Sequence, residues 1–227
     1  MNFSYQIRFS KTGRARFIAH LDTLSILVRA VRRAGYDLAF TQGMRPKPIL
    51  SLAMPLGVGV EGEDEICDFA LQQRVPLTEF ARALSAQLPE GMSLKSIGPC
   101  LDRTKSASRV DKVSYRVEFQ EAPASLPEAV ARFGRAKSLV VTRQRPKGAK
   151  DVDVKHYVDK VEIAPDGALL FDMRVTSEGT ARPEEIIGLL SGFAGEELAA
   201  VRVVRTAITL KEEPPPATAR GRGRRRH

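Results

Sequence analysis

Phe3-Ser-Tyr-Gln-Ile-Arg-Phe-Ser-Lys-Thr-Gly-Arg-Ala-Arg-Phe-Ile-Ala-His-Leu-Asp-Thr-Leu-Ser-Ile-Leu-Val-Arg-Ala-Val-Arg-Arg-Ala-Gly35 decides the fold, because its hydrophobic period changes partway along. Phe3, Tyr5, Ile7 and Phe9 alternate with Ser4, Gln6, Arg8 and Ser10, and a period of two predicts a half-buried strand. Over 21–35 the period becomes helical. Leu24, Leu27, Val28, Val31 and Ala34 share one stripe, and Gly35 is a natural stop. Outward from this stretch the sequence predicts a strand over 38–41, a turn-rich segment Gln42-Gly-Met-Arg-Pro-Lys-Pro48 and an extended run over 49–54. A strand over 65–71, a helix over 77–88 and a strand over 93–97 follow. The order is β-α-β-β-α-β with one extra extended piece.

That order returns further along. A strand is expected over 114–120, a helix over 126–135, a strand over 139–144 and a hairpin over 160–175 around Pro165-Asp166-Gly167. A helix over 183–193 starts with Glu184 and Glu185, as the helix dipole favours, and a strand over 198–210 closes the set. Residues 101–112 have the Ser, Thr, Lys and Asp content of a linker. The expected class is α+β: two tandem ferredoxin-like (βαββαβ) units with antiparallel sheets, residues 1–100 and 114–210. Residues 211–227, rich in Arg, Gly and Pro, are expected to form a disordered basic tail.

The chain has 227 residues, 43% of them hydrophobic, enough for real cores, and carries a formal charge of +9. The charge is unevenly placed. Residues 1–50 hold nine cations against Asp22 and Asp37, a surplus of seven, and the last eleven residues add five arginines with no acid. The remainder sums to −3. A mildly acidic body with a basic N-terminal surface points to a polyanionic partner. Cys67 and Cys100 cannot build a disulfide framework, the N-terminus lacks the continuous apolar core of a signal peptide, and no uncharged stretch is long enough to span a bilayer. A cytoplasmic protein without a membrane partner is therefore expected, and RNA becomes the favoured polyanion.

At about 100° per residue, Asp22, Ser25, Arg29, Arg32 and Arg33 fall on the face of the first helix opposite its apolar stripe. Lys11, Arg14 and Arg16 precede that helix, and Arg45 and Lys47 follow the next strand, so one unit supplies three basic elements. Within it, residues 5–22, Arg32-Arg-Ala-Gly35, Thr41-Gln-Gly-Met-Arg-Pro-Lys-Pro48 and Pro55-Leu-Gly-Val-Gly-Val-Glu61 resemble the radical-SAM-linked (radical-SAM-associated) bacterial family of domains of unknown function. The resemblance extends to about residue 210 and is densest over 5–61. It implies a protein fused to, or encoded beside, a B12-binding radical-SAM protein, and it brings no established activity with it. The family turn reads Gln-Gly-Phe-Asn-Pro-His-Pro; here Met44, Arg45 and Lys47 take the Phe, Asn and His places, which favours anion binding over imidazole chemistry. Two distant cysteines cannot ligate a radical-SAM cluster, so the iron-sulfur cluster, S-adenosylmethionine and B12 are expected only in a partner, with no cofactor in this chain.

Other motifs read as structure. Gly57-Val-Gly-Val-Glu-Gly62 matches G-x-G-x-x-G, but acids and a strand-like run follow where a dinucleotide fingerprint needs a helix; it reads as a flexible connection. Asp151, Asp153 and His156 read as a solvated strand rim, not a metal site. The tail Arg220-Gly-Arg-Gly-Arg-Arg-Arg-His227 has the composition of segments that bind RNA electrostatically.

Three functions follow as expectations. The favoured one is a non-catalytic module that binds tRNA or rRNA, or presents a substrate, for a radical-SAM protein in trans. Lys11, Arg14, Arg16, Arg29, Arg32, Arg33, Arg45 and Lys47 would serve the phosphates, and His20, Asp22 and Gln42 the specific contacts. The second is a metal-independent endoribonuclease with His20 as proton shuttle and Tyr5, Lys11 or Arg16 as cationic or hydroxyl support. The third is a scaffold that docks a radical-SAM partner through an acidic loop over 61–68 without nucleic acid.

Overall fold

A computed structural model of the chain describes residues 2–100, 105–146 and 148–212. It is a mixed α+β structure with a large sheet and four helices. Its first strand, β1 (Phe3–Lys11), follows the alternation of the sequence: Tyr5, Ile7, Phe9 and Lys11 are buried and the residues between them are not. A 3₁₀ turn (Gly13–Phe17) leads into α1 (His20–Arg33), which buries Leu27 and Val31 of the stripe read from the sequence together with Thr23 and Ala30, while Leu24, Val28 and Ala34 are half-buried. Gly35, at φ +87°, ends it in a conformation that costs a glycine little. Then come β2 (Leu50–Leu52), β3 (Val60–Leu71), α2 (Leu77–Ser85) and β4 (Met92–Pro99). The second half comprises β5 (Val110–Phe119), α3 (Leu126–Arg135), β6 (Val140–Arg143), β7 (Lys150–Asp153), β8 (Val158–Ile163), β9 (Leu169–Arg174), α4 (Pro183–Ala194) and β10 (Ala200–Leu210).

The large sheet has eight strands in the order β4-β1-β3-β10-β5-β9-β8, with β2 paired to β3 off this path. Pairs within each half are antiparallel, and the halves join through the parallel pair of Val60, Glu61 and Gly62 on β3 with Val203, Val204 and Arg205 on β10. Strand β3 thus gives one edge to β1 and divides the other between β10 at its start and β2 at its end. One core cluster, around Ile7, Phe9, Leu27, Phe69 and Phe80, lies under α1 and α2. The other, around Val113, Phe133, Phe171, Ile186 and Leu190, lies under α3 and α4 and also takes in Ala53 and Ile66 from the first half.

Three expectations change. Residues 38–41 form no strand: Leu38 bridges Leu71 and Phe40 bridges Pro48 singly, and between them the Ala39 amide donates to the Ala70 carbonyl at 2.8 Å. Strand β3 starts at Val60, five residues before the expected position, because β10 supplies a partner there. The strand near 139–144 pairs outside the large sheet, with β7 in a separate two-stranded sheet. Within the linker, Ser106 is docked on the first half: its amide and hydroxyl donate to Asp68 at 2.7 Å each, and Gln6 donates to its hydroxyl at 2.8 Å. The tail expected to be disordered lies, beyond Glu212, outside the described residues. Among the described residues no helix is long and apolar enough to cross a membrane.

Candidate nucleic-acid interface

Burying the apolar stripe of α1 forces its other face outward. Asp22, Ser25, Arg29, Arg32 and Arg33 are all exposed, and Asp22 occupies the first turn, where a carboxylate suits the helix dipole. Beyond the helix, residues 41–47 form an exposed loop closed at its base. The Thr41 amide donates to the Lys47 carbonyl at 2.9 Å, and the Lys47 amide donates to the Thr41 hydroxyl at 3.0 Å. Gln42, Met44, Arg45 and Lys47 are carried on it. The Arg32 guanidinium lies 5.8 Å from the centre of the Phe40 ring, so the foot of the loop rests against the last turn of α1. Helix face and loop therefore make one surface.

The cations on this surface are unpaired. Among the described residues no carboxylate comes within ion-pair distance of Arg14, Arg29, Arg32, Arg33, Arg45 or Lys47. On the large sheet the opposite holds: Arg8 pairs with Asp64, Arg116 with Glu118 and Asp166, Arg202 with Glu61 and Glu118, and Arg205 with Glu65. The acids of the sheet are taken up by its arginines, whereas the outer face of α1 carries a single carboxylate, Asp22 in the first turn, beyond ion-pair distance of its arginines.

The segment before α1 divides. Lys11 is turned inward and 2% exposed, its ammonium donating to the Ile18 carbonyl at 2.6 Å. Burial lowers its pKa, the charge of Glu65 works against that shift, and Arg205 adds to it. Arg16 leans on Glu61 at 3.4 Å and covers the Phe17 ring at 4.9 Å. Arg14 is exposed. His20 opens α1, and its Nδ1 is buried with no hydrogen-bond partner among the described residues. The groups invoked to help a catalytic His20 are occupied elsewhere: the Tyr5 hydroxyl accepts from the Val75 amide at 3.1 Å inside the aromatic cluster with Phe69 and Phe80. A helix of fourteen residues spans about 20 Å, so His20 and the 41–47 loop belong to opposite ends of the surface.

Sequence reasoning missed two features. The first is exposed apolar side chains beside the cations: Phe17, Leu21, Met44 and Val58. Leu21 lay in view, since it falls off the apolar stripe of α1. The second is the buried ionic centre where the halves meet. Arg205 donates to Glu65 at 2.9 and 2.5 Å and to the carbonyls of Pro55 and Met54 at 3.0 and 3.1 Å. Beside it, Glu61 accepts from Arg202 at 3.0 and 2.7 Å. Residues 61–68 are therefore no acidic loop, because they lie within β3 with Glu61, Glu65 and Asp68 buried. A cavity of about 330 Å³ opens between Val60, Tyr115, Ala181 and Pro183. Its Arg143 is bound bidentately by Glu185 at 2.5 and 2.7 Å. Cys67 is buried, which pushes its thiol pKa far up.

The model of a bacterial family described as an uncharacterized protein conserved in bacteria (DUF2344) matches residues 4–183. Among solved structures the chain is similar to an unknown protein from Galdieria sulphuraria, at 14% identity over 94% of this chain and 100% of that one, with a TM-score of 0.28. It is also similar to a proposed glycine cleavage system transcriptional repressor, at 12% identity over 86% of this chain and 92% of that one, with a TM-score of 0.28. No curated protein matches the chain.

Proposed function

The chain belongs to the bacterial DUF2344 family, and from that premise we propose that it is a non-catalytic RNA-binding or substrate-presenting module that acts with a separate radical-SAM enzyme. The observation that carries this reading is the unpaired state of Arg29, Arg32, Arg33, Arg45 and Lys47 on one surface, while the arginines of the sheet named above hold carboxylates. Cations kept clear of acids retain their full attraction for phosphate and release counterions when they meet it. His20, Asp22 and Gln42 border the same surface and take the specific contacts. The resemblance of residues 5–61 supports the radical-SAM partner, to which the iron-sulfur cluster, S-adenosylmethionine and B12 belong in this reading. A ferredoxin-like reading of each half is supported by strand order. The first half pairs as β4-β1-β3-β2 and the second as β10-β5-β9-β8, so fourth, first, third and second strand lie side by side in both.

Filter binding of the whole chain to bulk tRNA and rRNA across a salt series tests the proposal. Five engaged cations give a slope of log K against log salt of about −3.5 for unpaired RNA, and Arg32→Ala lowers its magnitude by roughly one phosphate's share. A flat salt dependence, or none of these RNAs retained at low salt, overturns it.

A further inference from the structure

We propose that the RNA recognised by this surface is unpaired, and that Phe17 is the platform on which a base stacks. The inference rests on the RNA-binding reading and deepens it. Phe17 is 60% exposed and Leu21, four residues later on the first turn of α1, 73% exposed. The Gly59 amide donates to the Arg16 carbonyl at 2.9 Å, which sets the turn bearing exposed Val58 against the same segment. An apolar patch thus sits at the start of α1, and the unpaired cations Arg29, Arg32 and Arg33 run from it along the outer face toward Arg45 and Lys47. Arg16 lies against one face of the Phe17 ring, which steadies the ring and adds positive charge beside it.

The juxtaposition suits only one form of nucleic acid. A duplex turns its phosphates outward and stacks its bases on each other, and the deep, narrow major groove of A-form RNA admits no side chain. Against a duplex the arginines would find phosphates, and Phe17, Leu21 and Val58 would have nothing to cover them. An unpaired strand offers both: its phosphates follow the cationic face while a splayed base covers the ring. A partner surface without anions would satisfy the apolar patch but leave the row of arginines uncompensated.

The test uses the full chain, a fluorescein-labelled oligouridylate of about ten nucleotides, within the length that one such surface covers, and a blunt RNA duplex with the same number of phosphates. The expected result is tighter binding of the oligouridylate. Phe17→Ala weakens it by roughly five- to 150-fold, the effect of losing one base–aromatic stack, and leaves duplex affinity and the salt slope unchanged. Phe17→Tyr restores binding and Phe17→Leu does not, which separates stacking from mere apolar contact. The side chain is largely exposed, so all three variants should melt with the parent. Equal affinity for both RNAs, or Phe17→Ala changing neither or both alike, overturns the inference while RNA binding stands; the unchanged case returns the patch to a protein partner. Absence of salt-dependent binding to either RNA removes the RNA-binding reading and this inference together.

Discussion

Arg205 is 1% exposed and still charged. Burial alone would lower its pKa, but the charge of Glu65 and the hydrogen bonds to it reverse that, and Tyr115 adds to the effect. The pair occupies space that Gly62 leaves free: a Cβ at that position would stand 2.5 Å from the Glu65 carboxylate oxygen. Desolvating two ions costs several kcal/mol, and only near-complete hydrogen bonding recovers it. Here the two Glu65 contacts and the carbonyls of Met54 and Pro55 do so. Arg205→Met should therefore cost about 3–5 kcal/mol, because it strands a buried carboxylate, whereas replacing both partners with methionine should recover most of the loss. Urea unfolding of the two variants at neutral pH checks this. A single variant as stable as the double would mean that Glu65 finds water or another donor. Neither residue was legible as a pair in the sequence, where 140 positions separate them.

Strand β3 shows why some elements were legible and others were not. The helical stripe of α1 and the alternation of β1 are local patterns, and the structure keeps both. Glu61-Gly-Glu-Asp-Glu65 has no such pattern and by composition belongs in solvent; it becomes a strand because β1 pairs one edge and β10 arrives at the other with Arg202 and Arg205. The outer face of α1 was legible for the same local reason; Lys11 turns inward as the next odd position of β1, held by the Ile18 carbonyl, while the pairing of Arg16 with Glu61 depends on β3 and escaped the sequence. The charge of Glu61 then carries a pH dependence. Burial opposes its ionisation, but hydrogen bonding and charge from Arg202, the Gly13 amide and Arg16 outweigh this and hold its carboxyl below the ordinary value of 4.5. A carboxylate with a depressed folded pKa stabilises fully above its unfolded value, and the contribution disappears as pH falls through the folded one. Glu61→Gln should thus be less stable than the parent near neutrality, and the gap between their urea midpoints should narrow as pH falls below the ordinary value of 4.5. A gap independent of pH would mean that the carboxylate's charge is not what holds Arg202.

Over the whole molecule, the α+β character was readable in the sequence, but the union of the two halves in one sheet was not. The large sheet runs through both halves by three parallel residue pairs on β3 and β10. Ile66 and Ala53, from the first half, are packed in the second core. Separating the halves would expose two strand edges, break the Arg205–Glu65 pair and uncover that shared apolar surface, so the free energy of each half includes the other. The sheet therefore predicts one cooperative unit. Leu27→Ala tests this from a distance, since Leu27 lies on the inner face of α1 and is buried in the first core only. Emptying its site costs about 2–5 kcal/mol, which raises the population of globally open molecules by roughly thirtyfold or more. In native-state hydrogen exchange, the slowest amides of β8 and β9, on the far edge of the sheet, should then accelerate by the same factor as those of β1. Acceleration confined to β1, β3 and β4 would show that the second half stands alone and that the junction only tethers the two. Equal acceleration would mean that the α1 surface and the second half share one stability, so weakening either one exposes both.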